Sequence, residues 1–97
     1  MSHIYGYIEQ RLDLIIKDDY LIFLKNVLKS FETVVIKSES LEDAAFGAIY
    51  GEMLAHLHHE CFQYYGECST SQISEFNQFM QSRALNIRKR IREVFNK

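Results

Sequence analysis

The sequence predicts an all-α protein, a compact four-helix bundle with two shorter N-terminal helices and two longer C-terminal ones. Proline, a frequent residue of loops and strand edges, is absent, and only four glycines occur. Apolar residues recur at three- and four-residue steps along most of the chain. The apolar share of 47% and the charged share of 25% are typical of globular proteins, so residues 1–97 are interpreted as a single domain.

The first helix is predicted at about residues 2–17 and the second at about residues 20–36. Between them Lys17, Asp18 and Asp19 interrupt the apolar pattern, and either aspartate can cap the second helix. The four residues at 33–36 are all β-branched, which leaves a short strand open as an alternative. The apolar positions that set the helical step are Ile4, Ile8, Leu12, Ile15 and Ile16 in the first helix and Phe23, Leu24, Val27, Leu28, Phe31 and Val34 in the second.

The third helix is predicted at residues 41–65, with Ser40 and Asp43 as a capping pair and Gly66 as the C-terminal cap. One apolar stripe contains Phe46, Tyr50, Met53, Leu57, Cys61 and Tyr64. A second face contains Gly47, Gly51 and Ala55, with Ala44 and Ala48 close by and Phe62 and Tyr65 extending it. The favoured interpretation is a central helix that contacts two or three others, one of which approaches closely at the small residues. The alternative is that the small-residue face is an open groove for a partner helix. His58 lies near the small-residue face and is predicted to be a core or an interface histidine.

The fourth helix is predicted at residues 72–96, with Ser69 and Gln72 forming a capping box before it. Its apolar residues alternate three- and four-residue steps, which indicates a seam packed against other helices. The seam consists of Ile73, Phe76, Met80, Ala84, Ile87, Ile91 and Val94.

Charge is unevenly distributed although the net charge is only -2. Residues 38–68 have no lysine or arginine, and their acids are Glu39, Glu42, Asp43, Glu52, Glu60 and Glu67. Residues 69–97 have two acids, and their bases are Arg83, Arg88, Lys89, Arg90, Arg92 and Lys97. A rigid carboxylate surface complements a cationic protein such as a nuclease. The sequence therefore predicts a protein-binding module, an inhibitor or immunity-type protein that blocks a basic partner such as a nuclease toxin. The six carboxylates are its candidate contacts, with Glu39, Glu42 and Asp43 the densest group.

A small nucleic-acid-associated regulator is the alternative function. Phe79, Arg83, Asn86, Arg90 and Lys97 share one side of the fourth helix, where cations and an aromatic ring could contact phosphates. An isoelectric point near 6.0 argues against it. The cations also complement the helix dipole, or neutralise the acidic third helix inside the fold.

A metal-binding bundle is the third alternative, because Glu52, His56 and His59 share one helical face. The Glu-x-x-His step of di-iron bundles is not met, so we predict neither a metal nor another cofactor. An enzyme is not predicted, because no phosphate-binding loop, GxSxG or HExxH motif occurs. Cys61 is predicted to be a buried thiol and Cys68 a loop thiol. Seven residues of straight helix would separate them by about 10 Å, so no disulfide is expected.

The sequence predicts a cytoplasmic protein without a membrane span. No apolar run approaches the roughly 20 residues that cross a bilayer, and the N-terminus lacks the pattern of a secretory signal. Two cysteines and four histidines do not make a disulfide framework, which agrees with a reducing compartment. Self-association is left open by these features.

Overall fold

The structure is a computed structural model that describes the backbone of residues 2–34 and 40–96 and the side chains of residues 6–30 and 40–96. Four helices make up the described chain: α1 (Ser2–Ile15), α2 (Asp18–Val34), α3 (Leu41–Tyr65) and α4 (Thr70–Phe95). No strand occurs among these residues. The predicted all-α bundle, with two shorter helices before two longer ones, is confirmed.

The ends of α3 and α4 follow from local hydrogen bonds. The Ser40 hydroxyl accepts a hydrogen bond from the Asp43 amide at 3.2 Å, so α3 begins as predicted. It ends at Gly66, which takes a positive φ of 84° and donates its N–H to the Phe62 carbonyl. Ser69 and Gln72 form the predicted capping box. Because Ser69 is the N-cap, α4 begins at Thr70, two residues earlier than predicted.

The boundary between α1 and α2 differs slightly from the prediction. α1 ends at Ile15 and α2 begins at Asp18, so Asp18 and Asp19 lie inside the first turn of α2 instead of before it. Carboxylates in this turn are favoured by the positive end of the helix dipole. Residues 33–34 are helical, while the rest of the predicted strand alternative, residues 35–36, and the candidate contact Glu39 lie outside the described residues.

α3 occupies the centre of the bundle and packs against α1, α2 and α4. α4 also packs against α2, and α1 packs against α2. Each helix contributes to one apolar core. Isolated helices of this length are marginally stable in water, so packing in the bundle supplies most of their stability. The core consists of Ile8, Leu12, Ile15, Leu21, Leu24, Ala45, Ile49, Met53, Leu57, Cys61, Phe76, Met80, Ile87, Ile91 and Val94.

The predicted seam of α4 is largely confirmed. Five of its seven residues are buried, and Ala84 is half-buried. Ile73 is the exception, at 40% exposure. It lies in the first turn of α4, at the edge of a groove on α3.

The predicted core stripe of α3 is only partly correct. Met53, Leu57 and Cys61 are buried, but Tyr64 is 55% exposed, and the prediction omitted Ala45 and Ile49. The buried line runs at strict four-residue steps from 45 to 61. α3 is apolar on two sides, so its sequence alone does not indicate which side faces the core. None of the helices in the described part has the length and apolar character needed to cross a bilayer.

Candidate functional site

The acidic start of α3 is paired with arginines of α4. Arg88 Nη1 donates hydrogen bonds to Glu42 Oε2 at 2.9 Å and to Asp43 Oδ1 at 2.8 Å. Arg92 Nε donates to Glu42 Oε1 at 2.8 Å. The Arg88 guanidinium also lies 4.6 Å from the ring centre of Phe46. Two cations therefore meet two carboxylates within the fold.

These contacts change the acidity of the groups involved. Hydrogen bonds from Arg92 and Arg88 hold the pKa of Glu42 below its ordinary value. Hydrogen bonds to Asp43 and Glu42 raise the pKa of Arg88. A basic partner would have to compete with these arginines for the same carboxylates. That Glu42 and Asp43 contact a partner stays a prediction, and Arg88 and Arg92 balance the negative charges of these two residues.

Further carboxylates lie on the polar side of α3 and in the turn that follows it, and we call this set of residues the acidic stripe. It consists of Glu52, His56, His59, Glu60, Gln63 and Glu67. Glu52 and Glu67 are exposed and Glu60 is half-buried. Among the described residues neither Glu60 nor Glu67 takes part in an ion pair, and Glu52 pairs only with a histidine. The acidic stripe thus retains negative charge that the rest of the fold does not neutralise.

The histidines of the acidic stripe are not arranged as a metal site. His56 Nε2 lies 3.4 Å from Glu52 Oε1, and its Nδ1 lies 3.3 Å from the Tyr7 hydroxyl of α1. The Tyr7 and His56 rings meet edge to face, with their centres 5.8 Å apart. His56 therefore links α1 to α3. Within the described residues no three His, Cys, Asp or Glu side chains converge on a point where a metal could bind.

Arg83, on the basic side of α4, is engaged with α1. Its Nη2 donates a hydrogen bond to Glu9 Oε1 at 2.8 Å, and its guanidinium lies 5.1 Å from the ring centre of Phe79. The cation and the aromatic ring that the sequence suggested for nucleic-acid contact are thus in contact with each other. Stacking of this kind holds the guanidinium against the bundle surface.

Arg90 joins α4 to the turn between α1 and α2. Its Nε donates to the Ile16 carbonyl at 3.1 Å, and its terminal nitrogens pair with Asp18 and Glu93. All four arginines of α4 therefore have carboxylate partners, and Lys97 lies outside the described residues. This agrees with the interpretation that α4 neutralises acids inside the fold and leaves less free positive charge for phosphates. Nucleic-acid binding stays an untested prediction.

The two cysteines are free thiols, as predicted. Burial raises the pKa of the Cys61 thiol to about 12, with a further contribution from its hydrogen bond with Cys68. Cys68 Sγ donates to the Leu57 carbonyl at 3.8 Å, so the turn after α3 folds back along the helix. Cys61 remains a neutral thiol near pH 7, which is unsuitable for a nucleophile.

The side of α3 opposite the core is exposed and largely apolar, and we call it the open face. It consists of Gly47, Gly51, Leu54, Ala55, His58, Phe62 and Tyr65, all of them exposed. Among the described residues, no atom lies within 4 Å of a Cβ added at Gly47 or Gly51. Because Gly47, Gly51 and Ala55 are exposed, the expectation that another helix packs on these three residues is wrong. The open-groove alternative describes the geometry correctly.

A pocket of about 440 Å³ lies at the middle of the open face, where α3 meets the start of α4. Its lining residues are Gly51, Leu54, Ala55, Leu57, His58, Cys68 and Ile73. The His58 ring is exposed on the rim and stacks on Phe62, with ring centres 6.4 Å apart. His58 is therefore not a core histidine.

Sequence reasoning missed Leu54, Ile73 and Cys68 as parts of this groove. Leu54 could have been found, because it completes an i, i+3, i+4, i+7 set with Gly51, Ala55 and His58. The contribution of Ile73 and Cys68 depends on how the turn folds back, which no local pattern indicates. Comparison of the chain with protein-family models, curated proteins and solved structures gave no match.

Proposed function

We propose that this chain is a non-catalytic protein-binding module that recognises a basic protein through the acidic stripe of α3. The observation that carries the proposal is the lack of arginine or lysine partners for Glu52, Glu60 and Glu67 within the described chain, whereas Glu42 and Asp43 have them. Carboxylates that no internal cation neutralises attract a cationic partner and accelerate its association. The sequence predicted the densest contacts at the start of α3, whereas this proposal assigns the main contacts to Glu52, Glu60 and Glu67.

The more specific proposal is an inhibitor or immunity-type protein that blocks a basic partner such as a nuclease toxin. Nuclease sites are cationic because they hold phosphates, and a carboxylate surface on a rigid helix is their electrostatic complement. His56, fixed between Glu52 and Tyr7, helps to hold the stripe in place. Rigid presentation lowers the entropy cost of association.

The test is to identify the partner and then measure its rate of association. The chain is immobilised, proteins captured from a lysate are identified by mass spectrometry, and a captured basic protein is purified. We expect the double variant E60Q/E67Q to slow its association several-fold and to weaken the dependence of the rate on salt.

The matched control is D13N/D19N, which removes the same charge from exposed positions outside the stripe. This control should leave the rate close to that of the unmodified chain. Equal rates for both double variants, or a captured partner without a basic surface, would contradict the proposal. A slower rate in E42Q/D43N alone would return the contacts to the start of α3.

A further inference from the structure

We propose that the open face of α3 is a self-association surface that binds a second copy of this chain. The two α3 helices would run antiparallel about a two-fold axis between Leu54 and Ala55. A helix that is apolar on two sides is normally covered on both, and here only one side is covered by the bundle. This inference uses a surface separate from the acidic stripe and does not depend on the proposed partner.

Large and small side chains of α3 complement each other under two-fold symmetry. In an antiparallel pair about this axis, Phe62 faces Gly47 of the second copy and Tyr65 faces its Ala44. His58 faces Gly51 of the second copy, and Leu54 faces Ala55. Each large side chain thus meets a small one, as a self-complementary interface requires. Because no atom of the described chain lies within 4 Å of a Cβ at Gly47 or Gly51, the second helix can approach closely.

The shape of the pocket fits a side chain of a second α3 helix. Four of its lining residues, Gly51, Leu54, Ala55 and His58, have the i, i+3, i+4, i+7 spacing of a hole that accepts one side chain of a facing helix. The proposed axis places Leu54 of the second copy over this hole. The pocket has a volume of about 440 Å³, with Ile73 among its lining residues, and it accommodates that side chain.

The open face exposes enough surface area for a dimer interface. Phe62 is 67% and Tyr65 49% exposed, and each leaves on the order of 100 Å² for an interface. With Leu54, Ile73 and the smaller residues of the open face, a copy offers roughly 500 Å², or roughly 1,000 Å² for the pair. That total lies at the lower limit for specific protein interfaces, which suits a dimer of moderate affinity.

The open face is also uncharged apart from the titratable ring of His58. The open face contains no carboxylate, lysine or arginine, so two copies can meet there without repulsion between like charges. A strongly basic or acidic partner helix would find no opposite charge on this face. The acidic stripe lies on a different side of α3, so the dimer leaves both of its acidic stripes accessible.

Sedimentation velocity tests the proposal on the full chain at about 1–100 μM, where a micromolar dissociation constant is measurable. We expect the unmodified chain to shift from monomer to dimer across this range. A55E puts a charge on the exposed small-residue position and should remain a monomer throughout. L85E is the matched control, because Leu85 is an 82% exposed apolar residue of α4 outside the open face, and it should dimerise like the unmodified chain.

A monomer at all concentrations would overturn the proposal and leave the open face to a different protein. A dimer unaffected by A55E would also overturn it, since the interface would then lie elsewhere.

Cross-linking tests the antiparallel arrangement. In a C68S background, L54C should give covalent dimers with a short bis-maleimide, because position 54 lies beside the proposed axis. F62C and L85C should not, since these positions are far from their counterparts in the second copy. Cross-linking of F62C as efficient as that of L54C would show a parallel pair and overturn the proposed geometry.

Discussion

At the scale of single residues, we expect the two thiols to differ in reactivity because their burial differs. Cys61 is buried and its pKa is raised to about 12, while Cys68 is half-buried in the turn. We expect a maleimide at pH 7.5 to modify Cys68 and to leave Cys61 unmodified, as measured by mass spectrometry of the intact chain and its peptides. In C68S, labelling should appear only after denaturant is added. Modification of Cys61 at the same rate as Cys68 would contradict the burial and pKa assigned to it.

Glu42 provides a second prediction at this scale. Because Arg92 and Arg88 lower its pKa, its ion pairs stabilise the fold above the ordinary pKa of 4.5, and this contribution is lost as pH falls through the lowered value. In R92Q, the pKa of Glu42 followed by carboxyl NMR shifts should move up towards its ordinary value. R83Q, which breaks the pair with Glu9 instead, is the control and should leave Glu42 unchanged. An identical Glu42 titration in R92Q would show that the arginine contact does not form.

At the scale of helices, α4 is held by its seam. Ile87 is fully buried, so I87D places an unpaired charge in the core and should lower the free energy of unfolding by about 3 kcal/mol or more. L85D, two residues earlier and 82% exposed, should change it by less than about 0.5 kcal/mol. Chemical denaturation monitored by circular dichroism measures both. Similar stabilities for the two variants would mean that the seam does not face the core.

We expect alanine to have opposite effects at Gly51 of α3 and at Gly66, the C-cap of that helix. A Cβ at Gly51 meets no neighbour, so G51A should stabilise the monomer by about 0.5–1 kcal/mol through helix propensity. Gly66 has a φ of 84°, so G66A should destabilise by about 1 kcal/mol. Thermal unfolding of A55E as the monomeric background separates these effects from dimerisation. A loss of stability in G51A would mean that a helix does pack on this face.

Local signals explain which parts of α3 the sequence could predict. Its ends at Leu41 and Tyr65 follow from Ser40, Asp43 and Gly66, all of which act within one turn. The side of α3 that faces the core depends on contacts with three other helices. Because α3 is apolar on two sides, its sequence pattern does not indicate which apolar stripe is buried. The open face was recognised as a candidate groove but not favoured, because its exposure is a property of the assembled bundle.

At the scale of the whole molecule, the charge asymmetry along the sequence becomes a set of ion pairs across the fold. Arg83 reaches α1, Arg90 reaches the first turn of α2, and Arg88 reaches the start of α3. These pairs join residues 45 to 74 positions apart, so no local pattern indicates which acid meets which base. That is why the candidate partner contacts at Glu42 and Asp43 could be identified as acidic but not as already paired.

The ion pairs also make a prediction for the whole molecule. R88Q/R90Q should lower the melting temperature in dilute buffer, and the difference from the unmodified chain should shrink as sodium chloride rises to about 1 M, because salt screens exposed pairs. Differential scanning calorimetry at several salt concentrations measures this. K25Q/K29Q, with lysines of α2, is the charge-matched control and should show a smaller effect. A difference that does not depend on salt would mean that the arginines act through packing alone.

The two apolar sides of α3 have a consequence during synthesis. When residues 2–65 have left the ribosome, α1 and α2 can cover part of α3, but Met53, Leu57 and Cys61 still lack the α4 side chains that complete the core. Until residues 70–95 emerge, the nascent chain presents its most apolar helix only partly covered, and the acidic start of α3 has not yet met Arg88 and Arg92. Such intermediates are prone to aggregate, so this chain is expected to need chaperone protection for the interval between the synthesis of α3 and that of α4.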